Sequence, residues 1–174
     1  MISNSWQEIL IDFQALGGVA ENIKLKKGKY GRGIFPVDPD LPSKIKVPEK
    51  LLIKAKYLYI NNKEIKIKPN APLDSLTRRF IDNYLMHISF GVNTWDEINE
   101  FENSLRELPT DVIELLNNIG ALDLKIMHKD NWEEVIFNNF IQSRFVDYKL
   151  EKCLAPIFEL VNHNYKSQMF SINK

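Results

Sequence analysis

Residues 27–38 read KGKYGRGIFPVD. The chain has seven glycines, and three of them, Gly28, Gly31 and Gly33, fall within six positions here, interleaved with Lys29, Tyr30 and Arg32. Glycine serves where the backbone must take φ > 0 or approach another group closely, so the cluster marks either a tight turn or a binding loop. Its flanks give the fold class of this part of the chain. From Val19 to Lys68 the segments NIKLK, GIFPV, KYLYI and EIKIK are short, rich in β-formers and separated by Gly, Pro or Asn, which predicts strands. YLYINNKEIKI reads as a hairpin about Asn61 and Asn62, with Lys63 leaving the loop length open.

Outward from this β-rich stretch the pattern is helical. On the N-terminal side, Trp6, Ile9, Leu10, Phe13 and Leu16 recur at helical spacing, with Ser5 and Glu8 as a capping box and Gly17-Gly18 as the stop. On the C-terminal side about seventy residues read as about four helices divided by Pro72, Pro109 and Gly120. Thr94 to Glu97 and Asp130 to Glu133 resemble capping boxes that open the apolar series Trp95, Ile98, Phe101, Leu105 and Trp132, Val135, Ile136, Phe140. A mixed segment follows Arg144, containing CLAPIFELVNHNY. The expected class is α+β, with an N-terminal β part and leading helix over 1–69, a helical insertion over 70–142 and a returning segment over 143–174. Fifty β-rich residues bury a sheet face poorly alone, so the returning segment is expected to pack on them and bring LVNHNY near the glycine cluster.

Composition limits the function classes. At 174 residues, 44% hydrophobic and 26% charged, the chain suffices for one domain with a real core. Its 23 basic and 23 acidic residues cancel, so no overall field recruits nucleic acid or an anionic membrane. The single Cys153 excludes an internal disulfide, and His87, His128 and His163 lie too far apart for zinc spacing, so no metal is expected. A reducing, cytoplasmic setting is expected, with neither an export signal nor a membrane span.

The marked polar residues each have a plain reading: Gly31-Arg32-Gly33 as a turn, Ser143-Arg144 as a helix-end pair suited to the helix dipole, Asn162-His163 as a strand terminus. Taken in order and with their flanks they are more specific. GKYGRGIFPVDPDLPSKIKVPEKLLI resembles the opening of a SET domain, with a G-x-G turn and apolar strand followed by a V-P-x-x-L-x-I type run. QSRFVDYKLEKCLAPIFELVNHN resembles its later part, with S-R before an aromatic residue and then P-x-x-D-x-x-N-H; here Asn162 lies eighteen residues after Arg144. The likeness is to the SET-domain protein methyltransferases with a large helical insertion, typified by the Rubisco large-subunit lysine methyltransferase and the actin-histidine methyltransferase.

That resemblance implies a SET-like β core interrupted by the helical insertion, and S-adenosylmethionine as cofactor. It implies that Gly31, Arg32 and Gly33 let main-chain atoms approach the cofactor, that Arg144 meets its carboxylate, and that Asn162 and His163 contact its adenosine part. Glu159 stands where the family has Asp. The implied activity is protein (lysine) N-methyltransfer, and the implied partner is a protein substrate. In the family a tyrosine some tens of residues beyond N-H serves the methyl-transfer channel. Eleven residues follow His163, so the domain is expected to be incomplete at its C-terminus; Tyr165 is too close to His163 to take that role, and the catalytic residues stay unassigned. The alternatives are a degenerate, inactive SET-like domain acting as a protein-interaction module, and an α+β interaction domain whose likeness is accidental.

Overall fold

A computed structural model describes residues 2–28, 31–62, 64–89, 107–119 and 132–161. The chain is mixed α+β, with small antiparallel sheets and helices on one core. Its elements are α1 (Ile2–Ala15), β1 (Val19–Glu21), β2 (Ile23–Gly28), β3 (Gly31–Pro36), β4 (Lys44–Lys46), β5 (Ile53–Lys54), β6 (Leu58–Asn61), β7 (Glu64–Ile67), α2 (Ser75–His87), α3 (Thr110–Asn118), α4 (Trp132–Arg144), β8 (Val146–Tyr148) and β9 (Glu151–Leu154). Short 3-10 turns cover Glu49–Leu51, Ala55–Tyr57 and Phe158–Leu160.

The first helix begins at Ile2, so Ser5 lies inside it and is not its cap; the helical backbone simply continues a turn further than the expected capping box. Its end is as expected. Gly17 takes φ +87°, its N–H donates to Gln14 O at 2.9 Å, and the Gly18 N–H donates to Phe13 O at 2.9 Å. That pair of bonds is a Schellman closure, which needs a left-handed residue and so favours glycine. Gly18 has a second constraint, because a Cβ there would sit 2.4 Å from the Phe13 ring.

The glycine cluster forms a hairpin. Gly28 pairs with Gly31 at its tip, Lys26 with Gly33 and Leu25 with Ile34, leaving Lys29 and Tyr30 as the connecting residues. Of the two readings of the cluster, the turn is thus realised, by Gly28 and Gly31, while Gly33 is a buried strand residue. The β6–β7 hairpin is also present. Asn61 pairs with Glu64, so its loop is two residues long, and Asn62 takes φ 51°, a conformation asparagine tolerates better than most. Sequence reading missed β1, β4 and β5, which are too short to carry a period, and the N-cap of α2. There Asp74 accepts from the Thr77 N–H at 2.9 Å and the Thr77 hydroxyl at 2.7 Å.

The return of the chain to its β-rich part occurs as expected. Ile53 and Lys54 of β5 pair antiparallel with Leu154 and Cys153 of β9, and β9 carries β8 on its other side. Further on, Val161 makes a parallel bridge to Ile34 of β3. One cluster joins Trp6, Ile9 and Phe13 of α1, Leu58 and Ile67 of the β6–β7 hairpin, Phe80, Ile81 and Tyr84 of α2, Phe140 of α4, and Leu154, Ile157 and Leu160. α2 therefore shares a core with the strands that precede it. Of the helix starts expected further on, α3 follows Pro109 and α4 starts at Trp132, whereas Thr94 to Glu97, Gly120 and Asp130 lie outside the described residues.

Candidate functional site

Arg32 sits on β3 between Gly31 and Gly33, a place where the sequence offered only its backbone. Its side chain turns inward and is 9% exposed. Nη1 donates to the carbonyl of His87 at 2.9 Å. His87 closes α2, where the last carbonyls have no partner within the helix and the dipole end is negative, so a guanidinium fits there on both counts. Burial pulls the Arg32 pKa below its usual value, while the nearby Glu159 and Tyr84 oppose that shift. Arginine's intrinsic basicity keeps it cationic in such surroundings.

The opposing charge comes from Glu159, in the turn Phe158–Leu160 and 4% exposed. Its Oε1 accepts from the Tyr84 hydroxyl at 2.8 Å and from the Ser89 hydroxyl at 2.7 Å. Both donors are fully buried, one on α2 and one just beyond it. Two hydroxyls thus donate to one carboxyl oxygen, with the Arg32 guanidinium nearby. Tyr84 carries a further bond, accepting from the Ile157 N–H at 2.9 Å. Burial, followed by the Glu159 charge, pushes the Tyr84 pKa well above the usual phenol value, so it stays protonated and able to donate.

Ile157 adopts φ 68°, ψ −47°. A β-branched residue with positive φ is a steric outlier, tolerated only where the surroundings hold it. Here its N–H is held by Tyr84, and the turn is continued by Glu159 N–H to Ala155 O (3.0 Å), Leu160 N–H to Ile157 O (3.1 Å) and Val161 N–H to Phe158 O (3.0 Å). Val161 then meets Ile34, next to Gly33.

Arg144 reaches the same turn from the end of α4. Its Nη1 donates to the main-chain oxygen of Glu159 at 3.1 Å in a part-buried setting, while the Ser143 hydroxyl bonds back to Asn139 O at 2.7 Å within the helix. Of the residues marked in the sequence, Arg32, Gly33, Arg144 and Glu159 are thus gathered by β3, the end of α4 and the 157–161 turn, while Gly31 lies at the tip of the β2–β3 hairpin. Asn162 and His163 continue directly from Val161 and lie outside the described residues, as does Tyr165.

No family model, curated protein or solved structure matches this chain. The site is accordingly judged on its own chemistry. Glu159, Tyr84 and Ser89 are shut away from solvent and bonded to one another, an arrangement that holds backbone rather than attacks a substrate. Among the described residues no group of His, Cys, Asp and Glu could hold a metal ion, and no helix is long and apolar enough to cross a membrane.

Sequence reading missed Tyr84, Ser89 and the backbone of Ile157. Tyr84 could have been singled out: it falls in the apolar series Phe80, Ile81, Tyr84, Leu85, where a buried phenol must find a hydrogen-bond partner. Ser89 and Ile157 have no such local mark. Next to the site, a groove of about 430 Å³ between α1 and α2 is lined in part by Glu8, Asp12, Arg79 and His87.

Proposed function

We propose that this chain is a SET-like domain whose 31–33 strand, Arg144 and 157–163 segment form a site for S-adenosylmethionine, and that its activity is protein N-methyltransfer of the SET type, to lysine. The observation that carries the reading is the parallel bridge between Ile34 and Val161. It sets the G-R-G strand beside the segment that runs into Asn162-His163, while Arg144 bonds the same turn. Two stretches far apart in sequence and picked by resemblance alone, the G-R-G strand and Arg144, both meet the 157–161 turn, which supports the reading.

The residues fit such a cofactor in chemical kind. A guanidinium is suited to pair with the carboxylate of an amino-acid moiety, and Arg144 is the half-buried one at the site's edge. Arg32 is turned into the core, so the G-R-G strand offers a ligand its backbone. When bound, S-adenosylmethionine supplies an electrophilic methyl group on a sulfonium. The chain's share of such a reaction is to bind and orient: a lysine amine of ordinary pKa about 10.4 must arrive neutral and aligned, and positioning of this kind lowers a barrier by several kcal/mol. A cytoplasmic location and a protein substrate belong to the same proposal.

A second reading, a SET-like protein-interaction module without activity, is favoured by the self-sufficiency of the buried network. Glu159, at the family's acidic position, is engaged by the protein's own hydroxyls. Isothermal titration with S-adenosylmethionine tests the first reading at its base, with saturable one-to-one binding expected. Transfer of a labelled methyl group to proteins of a host lysate separates enzyme from module. Absence of binding would remove both the cofactor and the methyltransferase.

A further inference from the structure

Tyr84 is the only described side chain on α2 that hydrogen-bonds both to the main chain and to a side chain of the 157–161 turn. Its hydroxyl accepts from the Ile157 N–H at 2.9 Å and donates to Glu159 Oε1 at 2.8 Å. Only an uncharged phenol performs both tasks at once: a phenolate cannot donate, and phenylalanine, of nearly the same shape, can do neither. The N–H it receives belongs to the residue forced to φ 68°. Two bonds from a rigid helix thereby fix the start of the turn and its acidic residue, three positions and one position ahead of Leu160, from which Val161 reaches Ile34.

We propose that Tyr84 is a positioning residue. It holds the 157–161 turn in its strained conformation and so sets the place of Val161 beside β3, from which the chain continues into Asn162-His163. It touches neither cofactor nor substrate. The proposal rests on the methyltransferase reading for its purpose, while the holding itself is independent of that reading. Ser89 supplies a contrast, since its hydroxyl reaches the same carboxylate oxygen without contacting the Ile157 N–H.

The test is amide hydrogen exchange on the full chain together with titration by S-adenosylmethionine, at a temperature where every variant is folded. In wild type the Ile157 amide should be protected to a degree comparable with the β9 amides; an Ile157 amide that exchanges freely overturns the proposal without any variant. In Tyr84→Phe, which keeps the ring against Phe80, amides 157–161 should lose protection by about tenfold or more while those of Ile53 and Leu154 keep theirs. The dissociation constant for S-adenosylmethionine should rise by about tenfold or more. A folded Tyr84→Phe with wild-type protection at 157–161 refutes the positioning role, and so does uniform loss of protection throughout the core. Wild type that fails to bind the cofactor refutes the methyltransferase reading instead, and the exchange pattern still decides whether Tyr84 holds the turn.

Discussion

Replacing Glu159 by Gln keeps size and shape and removes one charge from the centre of the buried network. Two effects follow. The Tyr84 and Ser89 hydroxyls, now 2.8 and 2.7 Å from a charged oxygen, would bond to a neutral amide oxygen. Hydrogen bonds to charged groups contribute about 1.5–3 kcal/mol and neutral ones about 0.5–1.5, so the pair loses about 2–3 kcal/mol. Arg32, 9% exposed, would also be left without its nearby counter-charge. Loss of that nearby charge adds to the weakened hydrogen bonds, so the net loss is at least about 2–3 kcal/mol against a total stability of about 5–15 for a domain. Urea unfolding followed by tryptophan fluorescence should show a midpoint lower by about 1 M or more. Arg32→Met and the double variant complete a cycle, in which the double loss should fall short of the sum of the singles by at least about 1 kcal/mol, because the stranded charge is gone. Additivity to within about 0.5 kcal/mol, or a single loss in Glu159→Gln below about 1 kcal/mol, would refute an electrostatic coupling between Glu159 and Arg32.

Gly18→Ala should destabilise by about 1–3 kcal/mol in urea unfolding, because its Cβ would meet the fully buried Phe13 ring, itself packed against Phe80. Asp74→Ala should weaken the start of α2 and flatten the acid limb of a stability–pH curve. The Asp74 pKa is depressed, first by the Thr77 N–H and then by its hydroxyl, so the contribution is present above the ordinary carboxylate pKa of about 3.9 and lost as pH falls through the lower folded value. Arg144→Ala should weaken S-adenosylmethionine binding by about 1.5–3 kcal/mol and Arg144→Lys should restore part of it; equal affinities by titration calorimetry would take Arg144 out of the site. Gly33→Val should lower S-adenosylmethionine affinity, because a β-branched side chain would be added at a buried strand position that the proposed reading sets against the cofactor; unchanged affinity would leave the strand a purely structural role.

Some of this molecule is written in neighbouring residues. The apolar period of Trp6, Ile9, Phe13 and Leu16 with its Gly17-Gly18 stop makes α1; Asn62 with its positive φ marks the β6–β7 turn; the glycines frame the β2–β3 hairpin; Arg144 ends a helix. Periodicity and φ > 0 tolerance act over a few residues, so a sequence displays them directly. The order of β-rich, helical and mixed segments also foretold the return to β3 and β5, since an uncovered sheet face demands a partner. What the packed chain alone decided is which polar groups meet. Glu159 finds Tyr84 75 positions away and Ser89 70 positions away, and Arg32 finds the end of α2 55 positions away. No local rule assigns such partners, because an inward-facing charge or phenol is tolerated only if distant segments deliver its complement. The positive φ of Ile157 is of the same kind: its own side chain disfavours that conformation, and the hydroxyl of a residue 73 positions away holds it.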